Sequence, residues 1–131
     1  VMGRNTYQAV AQNLRLSPEK LRLVLTSTPK NFKKLEVKGQ LEFTSEPLKD
    51  LIKRLKSLGY NKMLLLSGQG LNQLFFEKKL IDELIVTIEP RIFGTGNSLT
   101  SDASLDIKLK LESFEKINDQ GTLLLKYKVL K

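Results

Sequence analysis

Apolar residues fall in two kinds of pattern along this chain. Leu48, Leu51, Ile52, Leu55 and Leu58 recur at i, i+3, i+4, i+7 and i+10, one stripe of a helix predicted over residues 47–58. Ser45 stands where a cap belongs, Pro47 falls in the first turn, and Gly59 follows the end. Two other stretches are continuous instead: LRLVLTS at 21–27 and KMLLLS at 62–67. Runs of that length suit strands covered on both faces, as in a parallel sheet. LEFTS, 41–45, reads as a short strand, and ELIVTIEPRIF, 83–93, as a long one in which Pro90 marks a bulge or an edge. Near the C-terminus the pattern changes to alternation: Ile107, Leu109 and Leu111, then Leu123, Leu125, Tyr127 and Val129. NDQG, 118–121, lies between them and predicts the turn of an antiparallel hairpin. Weaker helical patterns cover residues 5–13 and the stretch from Gly68-Gln69-Gly70 to about Lys79, and residues 28–40 read as loop.

The order is helix, strand, strand, helix, strand, helix, strand, hairpin. Such alternation predicts a three-layer α/β/α arrangement with a mixed, mostly parallel sheet and a C-terminal antiparallel hairpin. The 131 residues suit one domain, and no repeat or linker divides them. Ligands in such folds bind outside the carboxyl ends of the strands.

Composition narrows the chemistry. The chain has no His and no Cys. The usual zinc ligand sets and the Ser-His-Asp and Cys-His hydrolases are therefore excluded, and no metal is expected. No apolar run reaches the roughly 20 residues of a membrane span, and no secretory signal is visible, so a cytoplasmic location is expected. Net charge is +8, and residues 1–66 hold 13 Lys/Arg against 5 Asp/Glu, while the remainder holds 9 of each. The first half is the expected partner of an anion. Its lysines are scattered without interleaved aromatics, which argues against nucleic acid.

Three polar turns follow predicted strands or the apolar start. Gly3-Arg4-Asn5-Thr6 opens a helix, whose first N–H groups favour an anion and where Arg4 adds a charged donor. Thr26-Ser27-Thr28-Pro29-Lys30 supplies hydroxyls and a lysine that suit a phosphate or ribose. Ser67-Gly68-Gln69-Gly70 lets a backbone approach a pyrophosphate closely, although residue 73 is Gln and no full GxGxxG exists. Each turn has an ordinary structural reading alone. Three in succession argue for a phosphorylated ligand.

VMGRNTYQ at the start, LLLSGQGLNQLF in the middle, KKLIDELIVTIEPRIFGTGNSL after it and the closing LLLKYKVL give the chain a specific likeness. It resembles the dihydrofolate reductase superfamily, and within it the reductase domain of riboflavin biosynthesis, of the RibD C-terminal type. The resemblance covers essentially all of residues 1–131, read as a single domain. Family members open with a strand and helix before the GRxT turn, so the domain is expected to be incomplete at its N-terminus. The resemblance implies NADPH as hydride donor, bound by Gly3, Arg4, Asn5 and Thr6, by Ser27 and Thr28 near the 2′-phosphate, and by Ser67, Gly68, Gln69, Gly70 and Leu71 around the pyrophosphate. It also implies a homodimer. Two positions depart from the riboflavin-type pattern: Ser67 stands where Glu is frequent, and Gln69 where Gly is frequent.

No catalytic residue is assigned. Thr87 and Glu89, on the predicted 83–93 strand, are candidates for the substrate side, while adjacent Asp82 and Glu83 point in different directions and make a poor acid pair. The leading expectation is an NADPH-dependent reductase of a small heterocycle, pterin-like or pyrimidine-like. A non-catalytic, degenerate nucleotide-binding relative is the alternative, and a basic nucleic-acid-binding module ranks third.

Overall fold

The continuous apolar run at 21–27 forms the central strand of a parallel sheet. The computed structural model describes residues 1–101 and 104–131. In it β1 (Met2–Gly3), β2 (Arg22–Leu25) and β3 (Leu41–Thr44) lie in that order, all parallel. Gly3 pairs with Leu25, and Val24 with Phe43. Successive residues of a strand point to opposite faces, and β2 is buried on both. Leu23 packs with Leu51 and Leu55 of α2 (Leu48–Ser57). Val24 clusters with Met2, Tyr7, Leu41 and Phe43, and Phe32 packs against that cluster. Tyr7 belongs to α1 (Arg4–Val10) and meets the Phe43 ring edge-on at 4.9 Å, while Phe32 stacks on it at 4.8 Å. These contacts make three layers around one sheet, with about 1.5–3 kcal/mol gained for each fully buried large side chain.

The helix over 47–58 forms almost as expected, but Ser45 does not cap it. Pro47 is the cap residue, and its carbonyl accepts the N–H groups of Asp50 at 3.0 Å and Leu51 at 2.9 Å. Gly59, at φ 86°, ends the helix in the left-handed region that suits glycine. Arg54 ties this helix to the sheet: it binds Glu42 on β3 and, through Nε, Glu46 at 2.9 Å. The expected loop at 28–40 contains a 3₁₀ segment, Pro29–Leu35, with proline in its first turn.

Residues 62–67 depart from expectation more clearly, since no strand forms there. One link of a parallel ladder remains: the Val1 amino group donates to the Leu64 carbonyl at 2.7 Å, and the Leu66 N–H to the Val1 carbonyl at 2.9 Å. Leu64 and Leu66 stay 66% and 54% exposed, so the stretch lacks the second covered face that its composition suits.

The backbone groups into two compact units, Val1–Gly68 and Gln69–Lys131. The second opens with α3 (Gln69–Glu77), whose Phe75 is buried. Its sheet is antiparallel, in the order β4 (Glu83–Ile88), β6 (Leu123–Val129), β5 (Leu109–Lys116). The expected strand over 83–93 stops at Ile88, before Pro90. The hairpin turn forms as the NDQG signal predicts, with Gly121 at φ 95°. A bulge lies between Leu111 and Ser113.

Candidate functional site

The parallel register decides which turns meet. Gly3 lies opposite Leu25, so the turn opening α1 and the turn leaving β2 sit at the same carboxyl edge of neighbouring strands. The Val1 hydrogen bonds to Leu64 and Leu66 set Leu65 level with Val1. Within the first unit, Gly3-Arg4 and Thr26-Ser27-Thr28 therefore lie at one sheet edge, and the stretch leading to Ser67-Gly68 runs beside β1 at Val1.

The first turn is built for an open helix end. Gly3 is the cap residue of α1, in extended conformation, and no side chain caps the helix. Asn5 and Thr6 lie inside the helix and do not bond back to its first N–H groups, which excludes the simple capping role for them. Arg4 is exposed and joins no ion pair among the described residues.

The second turn is partly self-satisfied. The Thr28 N–H donates to the Thr26 hydroxyl at 3.3 Å, and the two hydroxyls stand 3.5 Å apart. Thr26 is buried, whereas Ser27 and Thr28 are exposed. Lys30 is exposed beside them.

The glycine turn closes the first unit and opens the second. Neither Gly68 nor Gly70 has the positive φ that would require glycine. A Cβ at either would meet nothing within 4 Å. Backbone conformation and packing therefore leave these glycines unexplained, whereas a closely approaching backbone-bound group would need them. Gly70 and Leu71 lie in the first turn of α3, where N–H groups lack helical partners.

Contacts that the sequence did not reveal hold the start of α3. The Gln69 amide donates to the Ser98 hydroxyl at 3.2 Å, Ser98 donates to the Thr100 carbonyl at 2.5 Å, and Asn72 donates to the Leu99 carbonyl at 3.0 Å. The Ser101 hydroxyl donates to Gln73. The loop after Gly94-Thr95-Gly96 is thus tied to the polar side of α3, and the Gln69 side chain is committed to it. The only signal in the sequence was the polar run NSLTS.

The two substrate-side candidates fare differently. Thr87 is exposed on β4, opposite Leu124. Glu89 accepts the hydroxyl proton of buried Thr122 at 2.8 Å, and Asn118 donates to the same hydroxyl at 2.7 Å. The Thr122 N–H returns to Asn118 at 3.0 Å. Glu89 is thereby part of the clasp of the hairpin turn. Among the described residues no cluster of His, Cys, Asp and Glu has metal-binding geometry, and no helix is long and apolar enough to cross a membrane.

Comparison with known proteins places this geometry. A putative riboflavin biosynthesis protein from Shewanella sp. PV-4 superposes with a TM-score of 0.74 over 99% of this chain and 72% of its own, at 24% identity. A Thermotoga maritima diaminohydroxyphosphoribosylaminopyrimidine deaminase/5-amino-6-(5-phosphoribosylamino)uracil reductase gives 0.67 over 98% of this chain and 44% of its own, at 16% identity. Acinetobacter baumannii RibD gives 0.60 over 83% and 31%, at 21% identity. At these identities the likeness is one of fold. The uncharacterized protein YwjB of Bacillus subtilis (strain 168) is 27% identical over 114 residues, 86% of this chain. The chain spans 63% of the length of that curated relative. The sequence model of the RibD C-terminal domain matches residues 2–123. The chain belongs to the RibD C-terminal domain family, and it has that family's dihydrofolate reductase-like α/β fold.

Proposed function

We propose that this chain is the nucleotide-binding part of an NADPH-dependent reductase acting on a small heterocycle, pterin-like or of the riboflavin-pathway pyrimidine type. The observation that supports the reading is the meeting of the Gly3-Arg4 and Thr26-Ser27-Thr28 turns at one carboxyl edge, together with Gly68, a glycine that the fold itself does not require. Arg4 and the open N-terminal N–H groups after Gly3 would hold one phosphate, with Asn5 and Thr6 beside them. Ser27 and Thr28, with Lys30 near them, would receive the 2′-phosphate. Ser67, Gly68, Gln69, Gly70 and the N–H of Leu71 would hold the pyrophosphate, Gln69 through its backbone because its side chain binds Ser98. Bound NADPH would supply the hydride, and the protein's task is to position it and exclude water. Residues 1–131 act on this reading as one domain, in the cytoplasm and as a homodimer.

A titration of the purified protein with NADPH and NADH side by side, followed by thermal shift, tests the reading. Saturable binding with a clear preference for NADPH is expected. Binding of neither dinucleotide would overturn it. A second reading, nucleotide binding without turnover, draws support from Glu89. The Glu89 carboxylate, just beyond the proposed substrate strand, accepts the Thr122 hydroxyl and belongs to the hairpin clasp. NADPH binding without oxidation in the presence of pterin and pyrimidine substrates would favour that alternative.

A further inference from the structure

Residues 98–101 lie along α3 and run in the same direction as the helix. Gln69 donates to the Ser98 hydroxyl at 3.2 Å, Asn72 donates to the Leu99 carbonyl at 3.0 Å, and the Ser101 hydroxyl donates to Gln73. Residues 69, 72 and 73 stand at i, i+3 and i+4, on one face of the helix. Amides, hydroxyls and a carbonyl make this latch, and all three bonds are exposed, so it belongs to the parts of a fold that open most readily. The strap leading to it has a second anchor at Glu89, whose carboxylate accepts the Thr122 hydroxyl at 2.8 Å. Between the anchors, residues 90–97 form neither helix nor strand, and all are exposed. Ile92 and Phe93 stand in solvent there, with the Arg91 guanidinium 5.2 Å from the centre of the Phe93 ring.

The latch acts on the start of α3. Gln69 is the first residue of that helix, beside Gly70 and Leu71, and the N–H groups of this turn lack helical partners. A glutamine in that place has two uses for its amide. It can turn its oxygen back to the open N–H groups, as polar side chains at helix starts do, or it can reach outward. The Ser98 hydroxyl takes it outward. A phosphate oxygen on the same N–H groups would compete with the first use and leave the second. Ligand and latch therefore favour the same placement of Gln69, and each strengthens the other by the same factor.

We infer that Ser98 is a positioning residue for the dinucleotide pyrophosphate: through Gln69 it keeps the N–H groups of Gly70 and Leu71 open, and the bound ligand in turn fastens the strap of residues 89–101 to α3. This rests on the NADPH reading above and adds to it a residue outside the three turns and a strap whose closure reports occupancy.

Arg91 is the single Lys or Arg between Lys79 and Lys108, and it lies on the strap. Trypsin therefore reads the strap at one bond, Arg91–Ile92, followed by mass spectrometry. Wild type, Ser98→Ala and Ser98→Thr are digested with and without saturating NADPH, and the NADPH affinity of each is measured by calorimetry, with melting curves to verify folding. Without NADPH, Ser98→Ala is expected to be cut at Arg91 faster than wild type by about fivefold or more, as the open fraction rises. NADPH should slow the cut in wild type and protect Ser98→Ala much less. Ser98→Ala should bind NADPH more weakly by about the factor by which NADPH slows the wild-type cut. Ser98→Thr keeps the hydroxyl and should match wild type in both measurements. Equal NADPH affinity of wild type and Ser98→Ala would overturn the proposal, and so would a wild-type cut that bound NADPH leaves unchanged. Failure of wild type to bind NADPH at all would overturn the NADPH reading and this proposal with it, a result distinct from binding without coupling.

Discussion

The two sheets of this protein bury their residues in opposite ways. In the parallel sheet, Leu23 and Val24 of β2 point to opposite faces, and both are fully buried. In the antiparallel sheet, Ile85 of β4 is 56% exposed, and β5 is exposed throughout. The difference was written as pattern. The continuous apolar run at 21–27 has no polar face to give to water, and it ends up between two layers. An alternating strand has one face to spare. The lesson concerns function as well. The buried sheet supplies the edge at which the turns after β1 and β2 meet, whereas the second sheet leaves much of its surface to solvent.

The contrast can be broken first by truncation. Leu51→Ala, at a side chain with no exposure beneath β2, is expected to cost about 2–5 kcal/mol in urea unfolding. Ile85→Ala should change stability by no more than about 0.5 kcal/mol. Equal losses would mean that the two sheets are equally covered in solution. Next in size is Gly70→Ala. The substitution meets open space in a helix, so stability should rise by up to about 1 kcal/mol. NADPH affinity should nevertheless fall, because the added Cβ occupies the approach to the backbone. A rise in stability with unchanged affinity would remove Gly70 from the cradle.

The smallest expected effect is a pH dependence. Glu36 is held below its ordinary value of 4.5, first by its hydrogen bond with Lys33 and then by the N–H of Phe43. A carboxylate with a depressed folded value stabilises above the ordinary value, and its contribution is lost as pH falls through the folded one. Glu36→Gln should therefore lower the melting temperature slightly at pH 7, and the difference from wild type should shrink as pH falls below 4.5 through the lowered value. A difference that persists unchanged into acid would assign the effect to packing.

Much of the fold was legible because it rests on local pattern. The stripe from Leu48 to Leu58, the run at 21–27 and the NDQG turn each determine their own segment. What failed had non-local causes. Ser45 looked like a cap, but Pro47 takes that position and offers its carbonyl to the first turn. The run at 62–67 looked like a covered strand, yet strand geometry needs a paired neighbour, and among the described residues its backbone ladder consists of the Val1 link. In the candidate site, the three turns could be named from residue types, and the meeting of the first two required the register of β1 on β2. The ties of Gln69 to Ser98 and of Glu89 to Thr122 span 29 and 33 residues, beyond the reach of any local pattern.

The central claim is that the aligned turns grip the phosphates of NADPH. Calorimetric titration of wild type and Arg4→Ala with NADPH, alongside their melting curves, tests it most directly. Arg4 is exposed and unpaired by any ion pair among the described residues, so the melting curves should coincide. Affinity should drop by about 1–3 kcal/mol, the worth of a hydrogen bond to a charged group. Equal affinities of the two proteins would contradict the account.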